Sequence, residues 1–181
     1  MKRFILSLAI ILMAGISVQA QTSEKEEFAR NYEQAQTGDP VAMNELGKCY
    51  YYGRGVAKNP EEGFKWFLKA AHQNNVNAIE MVAYIMYDYG EGTDFDLIES
   101  IYWNKKGAEM GSGYCMCQLG LFYLGENKIM YPVNVENKDG GHDEIYETFI
   151  DKKKGIEWLK KSARTGYKFA QSTLEDYNEK W

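Results

Sequence analysis

Histidine is almost missing from this chain of 181 residues: there are two, His72 and His142, beside three cysteines and three prolines. Neither histidine sits in a motif, so no nucleophile–base pair and no metal-ligand set can be assembled around them. His72 falls at the end of an expected helix, where an imidazole suits the negative end of the dipole. His142 stands beside Asp139, Asp143 and Glu144. Their spacing does not follow the Asp-x-Asp-x-Asp-Gly and later Glu of a calcium loop, and the group reads as a polar turn. A basic excess is lacking too. The 21 Lys and Arg face 26 Asp and Glu, a formal charge of −5, which argues against nucleic acid and anionic membrane surfaces as partners. After Val18 no apolar run is long enough to span a bilayer.

The first twenty residues read as a leader. Lys2 and Arg3 form a charged start, Phe4 to Val18 an apolar run, and Val18-Gln19-Ala20 a small-x-small cleavage site. The run is short for a spanning helix, and a polar stretch follows it. Cleavage after Ala20, with export to a bacterial periplasm or beyond, is the expectation. No cysteine follows the cut, so a lipid anchor is not expected. Residues 21–181 suffice for one domain with a real core.

What is present is repetition. The phrase Trp66-Phe67-Leu68-Lys69-Ala70-Ala71 returns as Trp103-Asn104-Lys105-Lys106-Gly107-Ala108 and as Trp158-Leu159-Lys160-Lys161-Ser162-Ala163. A period in the thirties marks a helical solenoid, whose units cannot bury a core singly. Each unit is a pair of helices, A then B. In the first, Ala42, Leu46, Gly47 and Tyr50 share one face of a 3.6-residue period. Gly53-Arg54-Gly55-Val56 then turns the chain, and Phe64, Trp66, Phe67, Ala70 and Ala71 pack helix B. Asn59, Asp96 and Asp151 stand before the three B helices as N-caps; Asp39-Pro40, Asn75 and Ser112 open the A helices. The expected helices are 24–36, 40–52, 60–73, 76–88, 97–110, 113–124, 152–165 and 168–179. The first is a half-repeat (21–37), and the last a polar capping helix within 167–181.

The period breaks once, over about 126–150. Ile129–Val135 and Ile145–Ile150 are rich in β-branched and aromatic residues and flank Asn137-Lys138-Asp139-Gly140-Gly141, which predicts a β-hairpin. Long loops in compact domains tend to be functional or disordered, and this one is too apolar for a linker.

The three cysteines are expected to be reduced and to serve as small core residues. Cys115 and Cys117 are two apart on one helix and point about 200° from each other. Cys49 and Cys115 lie on A helices about 20 Å apart when neighbouring helices pack at 8–10 Å, against the roughly 7 Å a disulfide allows. No histidine has reason to activate a thiol. Gly53-x-Gly55 can form an anion nest, but with no strand before it and no Gly-Lys-Ser/Thr after it, it reads as turn glycines. Lys152-Lys153-Lys154 reads as a solvated helix start.

The run Ala42-x-x-x-Leu46-Gly47-x-x-Tyr50-x-x-Gly53-x-Gly55-Val56-x-x-Asn59, continuing to Trp66-x-x-Lys69-Ala70-Ala71, resembles a Sel-1-like repeat, a relative of tetratricopeptide repeats. The resemblance covers about 38–181, with repeats at about 38–74, 75–111 and 112–166. The second departs at Val82-Ala83, and the third lacks the Gly-x-Gly-Val turn. The resemblance implies an all-α, right-handed superhelix of about three and a half helix pairs, with the β-hairpin inserted in the third, used as a protein-interaction scaffold. Its motif residues are structural and not catalytic; no enzyme activity, cofactor or metal is expected. Tyr50, Trp66, Trp103, Tyr123 and Trp158 fall on motif positions as core. By analogy with tetratricopeptide packing, the inner groove is lined by Asn44, Lys48, Tyr51, Glu80, Tyr84, Tyr87, Tyr114, Cys117 and Leu121. Tyr131, Tyr146 and Phe149 of the insertion add to it. Tyrosine gives contact area at low entropy cost, so a protein or peptide partner is the first reading. Glycan or peptidoglycan-fragment binding is the alternative, since sugar faces stack on the same rings. An envelope hydrolase is disfavoured, and a purely structural or homo-oligomeric role is a further rival.

Overall fold

A computed structural model describes residues 22–87, 91–94, 96–125, 134–136, 142–144 and 150–181. The chain forms two compact units, one through Asp96 and one from Leu97. The division falls inside the second expected repeat, between its A and B helices.

The first unit holds helix α1 over 22–36, α2 (Pro40–Tyr52), α3 (Pro60–His72) and α4 (Val76–Tyr87). Helix starts follow the sequence signals. Asp39 accepts from the Val41 N–H at 2.8 Å with Pro40 at N1 of α2, and Asn59 accepts from the Glu62 N–H at 3.1 Å with Pro60 at N1 of α3. Helix α2 stops where Gly53 turns left-handed, at φ 76°, and donates back to the Cys49 carbonyl. Two glycines let α2 and α3 cross closely. A Cβ on Gly47 would stand 2.7 Å from the Phe67 ring, and one on Gly63 2.8 Å from the Gly47 carbonyl. Leu46, Phe67, Ala70, Ala71, Ala78, Ile79, Val82 and Ile85 fill the core between them and α4. Asn75 caps α4 by accepting from the Ala78 N–H, and its amide donates to the Pro40 carbonyl at 3.2 Å, tying the start of one repeat to the next.

The second unit holds α5 (Leu97–Glu109), α6 (Gly113–Leu124), α7 (Lys152–Arg164) and α8 (Lys168–Asp176). The same crossing recurs: a Cβ on Gly120 would meet Leu159 at 2.7 Å, and one on Gly155 the Gly120 carbonyl at 2.9 Å. Cys117, Leu121, Ile156, Leu159, Ala163, Ala170 and Leu174 form one core cluster. Ser162 donates to the Gly113 carbonyl at 2.6 Å, and Ser112 and Asp151 cap α6 and α7. Helix α8 ends before the expected residue 179. Asn178 turns left-handed at φ 56°, and the Glu179 N–H closes back on the Leu174 carbonyl at 2.9 Å.

One main-chain bond is common to all three repeats. The N–H of each residue expected to cap a B helix donates to a carbonyl late in helix A: Asn59 to Tyr50 at 2.8 Å, Asp96 to Met86 at 2.9 Å, Asp151 to Tyr123 at 2.8 Å. The A-to-B connection is thus closed at its base whatever its length.

Between α6 and α7 the described residues include two three-residue strands, β1 (Asn134–Glu136) and β2 (His142–Glu144), antiparallel with Val135 opposite Asp143. The hairpin expected over Ile129–Val135 and Ile145–Ile150 is not supported in that form. Among the described residues the pairing joins 134–136 to 142–144, and the fold rests on its helices. Both apolar segments lie mostly outside the described residues, as do Tyr131, Tyr146 and Phe149.

Candidate binding surfaces

The surface of α2 is set by which residues its packing leaves over. Its buried sector is wide, running Ala42, Met43, Leu46, Gly47 and Cys49, and it takes in Asn44, 1% exposed. Asn44 is therefore a core residue and not a groove residue; its amide donates to Glu45 at 3.0 Å. Leu121, 8% exposed, and Cys117 are corrected likewise, since both pack in the cluster with α7 and α8. Tyr51 is half-buried at the crossing. Its ring lies 6.0 Å from Phe67, and the Glu91 main chain bonds its hydroxyl; burial, foremost, pushes its pKa up.

What α2 offers outward is Val41, Glu45, Lys48 and Tyr52, spaced along one stripe of the helix. Glu45 holds Lys48 at 2.7 Å and faces Arg54 at 3.9 Å. Pairs this exposed contribute little stability and serve to fix the side chains. Tyr52 is 57% exposed. On α4, Tyr84 is 43% exposed and occupies the repeat position that Lys48 has on α2; Glu80 and Tyr87 are half-buried. On α6 the half-buried Tyr114 stands edge-on to Tyr167 at 6.3 Å. Of the described residues of the expected groove set, Tyr84 is the exposed one and Lys48 is half-buried, and Glu45 and Tyr52 were missed. The signal for them was present: a charge pair at i, i+3 cannot both face a core.

The motif aromatics divide. Trp66 and Trp103 are buried, while Tyr50, Tyr123 and Trp158 are half-buried, a correction to their reading as core. Tyr50 has the edge of Phe28 against it at 5.4 Å. Each repeat tryptophan carries over its ring the lysine three residues on: Lys69 at 3.7 Å, Lys106 at 5.0 Å, Lys161 at 4.2 Å. Tyr123 and Trp158 border a recess of about 230 Å³ with Leu119, Lys105, Glu109 and Lys154. There the Lys154 ammonium stands 4.3 Å from the Tyr123 ring centroid, and the Tyr123 side chain, foremost, raises its pKa.

The cysteines are free and buried, as expected. Burial pushes the Cys117 thiol up to about 12 and raises Cys49 as well. Folding favours the protonated thiol, so the Cys117 contribution is full well below the ordinary value of 9.0 and is lost as pH climbs from there toward about 12. In the native chain at pH 8 none of the three is expected to react with a thiol-modifying disulfide reagent within minutes, while all three react in denaturant. Prompt labelling without denaturant would refute the packing described. Among the described residues no group of three or more His, Cys, Asp or Glu could hold a metal, and no helix is long and apolar enough to cross a membrane.

A family model described as Sel1 repeat matches residues 40–75, 76–112 and 144–167. A sel1-like repeat-containing protein of Acanthamoeba polyphaga mimivirus is 46% identical over 41 residues, 23% of this chain and 7% of that protein. An ERAD-associated E3 ubiquitin-protein ligase component of Arabidopsis thaliana is 29% identical over 85 residues, 46% of this chain and 12% of that protein. The chain thus spans a small part of these relatives. Among solved structures, a Sel1 repeat protein from Oxalobacter formigenes superposes with TM-score 0.65 at 26% identity, over 82% of this chain and 53% of that one. A protective antigen of uropathogenic Escherichia coli with an SLR fold superposes with TM-score 0.67 at 23% identity, over 82% and 28%.

Proposed function

Because this chain belongs to the Sel1 repeat family, we propose that it is an exported adaptor that holds a protein or peptide on the outward stripe of its A helices. Sel1 repeat proteins are generally non-catalytic scaffolds for protein interaction. The observation that carries the finer reading is the pair of exposed tyrosines, Tyr52 and Tyr84, beside the fixed Glu45–Lys48 pair on α2. Tyrosines in that setting offer rigid contact area, with charges beside them to set register. The Arabidopsis relative, named as a ligase component, supports an assembly role in that protein. Export rests on the charged start and apolar run before Ala20.

The test is capture from envelope extracts with chain recovered from the periplasm, where it should begin at Gln21. Tyr52→Ala with Tyr84→Ala is expected to weaken a captured partner by about thirtyfold or more, as loss of one interface hot spot does, with the melting temperature unchanged. If both variants keep every partner, the stripe is not the binding face. If muropeptides, and no protein, quench tyrosine fluorescence, the ligand is a glycan.

A further inference from the structure

We propose that the recess between α5, α6 and α7 receives an acidic side chain of a protein partner. The carboxylate would lie against Lys105 and Lys154, and the aliphatic stem against Tyr123 and Trp158. This deepens the adaptor reading and rests on it.

Size selects the occupant first. At about 230 Å³ the recess is below the range of roughly 300–1,000 Å³ that takes a drug-sized ligand, and it suits one side chain. Its walls are amphipathic: a tyrosine and a tryptophan at half exposure, Leu119 beneath them, and three charged residues. Two of those are lysines and the third, Glu109, is a carboxylate. The exposed Lys154 ammonium lies 4.3 Å from the Tyr123 ring centroid, which leaves its donors open to a ligand. Lys105 makes no ion pair among the described residues.

The chain supplies its own comparison. Tyr123 and Lys154 occupy the repeat positions that Tyr50 and Glu62 have in the first unit, where burial, then the Glu62 charge, raises the tyrosine pKa. The lysine is therefore a reversal of sign at one place in the repeat. The reversal extends along the helix start. Helix α3 opens with Glu61 and Glu62 and α5 with Glu99, which suit the positive end of a helix dipole. Helix α7 opens with Lys152, Lys153 and Lys154, and its first turn holds no acid. The Asp151 cap offsets part of this charge, and an incoming carboxylate would offset more of it. In a chain of net charge −5, this is local complementarity to an acid.

The test uses two blocked tripeptides, acetyl-Leu-Glu-Leu-amide and acetyl-Leu-Gln-Leu-amide, titrated at low salt while the Trp158 indole resonance is followed. The Glu peptide is expected to bind about fivefold or more tightly, with a preference that salt erodes. Lys105→Gln and Lys154→Gln should each weaken it by about two- to fivefold, and together by about tenfold, while Glu109→Gln should strengthen it by about twofold. Equal binding of the two peptides, or a preference that survives the double lysine variant, overturns the recess. That result leaves intact any partner lost with Tyr52 and Tyr84. If those tyrosine variants keep every partner while the Glu preference persists, the adaptor reading fails, and with it the assignment of the acid to a protein partner.

Discussion

Replacing Phe67 by alanine is expected to destabilise the first unit by about 3–5 kcal/mol, the range for a fully buried aromatic. Phe67 is completely buried, at the point where α3 meets α2. A neighbour that would have to help fill the hole is Gly47, whose position is so near the ring that a Cβ there would come within 2.7 Å of it. Glycine brings no side chain to do so. Nor is α2 free to slide inward, because its C-terminal end is held by the Asn59 N–H on the Tyr50 carbonyl. The cavity should therefore persist, and a persistent cavity puts the loss in the upper part of the range. Urea unfolding followed by far-ultraviolet circular dichroism measures it. A loss of under about 1 kcal/mol would mean that the crossing collapses and the packing described is too rigid.

The second large effect has a sign that tells for or against the crossing. An exposed helical glycine changed to alanine gains about 1 kcal/mol from helix propensity. Gly63→Ala should instead lose about 1–3 kcal/mol. Its Cβ would stand 2.8 Å from both the Gly47 carbonyl oxygen and the Tyr51 nitrogen, and main chain cannot rotate aside. Gly155→Ala should behave alike, with the Gly120 carbonyl at 2.9 Å. Its other neighbour, Leu124, can shift, so its loss should be the smaller of the two. A gain in stability from either variant would refute the close approach.

These crossings explain what the sequence could and could not say. Period, caps and turn glycines are local, and the helices they mark, such as Pro40–Tyr52 and Gly113–Leu124, appear as read. Burial on a given helix is a property of its neighbours. Asn44 and Leu121 were assigned outward by analogy with a related repeat, but here the neighbouring helices close over them. Trp158 shows the reverse, because a motif position that is core at Trp66 and Trp103 is half-open where α7 borders the recess. The recess was hidden for the same reason. Its residues come from three helices, and only the folded arrangement brings Lys105 to the same cavity as Tyr123 and Lys154. The lysine run Lys152–Lys154 was visible, but whether it was surface or site depended on what faced it.

The bond that closes each A-to-B connection has a consequence for how such a chain can change. Because Asp151 returns to Tyr123 as Asn59 returns to Tyr50, the helix pair does not register what the intervening chain contains. Roughly tripling a loop's length adds only about 1 kcal/mol of closure entropy. The connection is then a port: segments can be exchanged there, by evolution or by grafting, with the helical frame kept as a constant mount and the inserted chain free to acquire its own role.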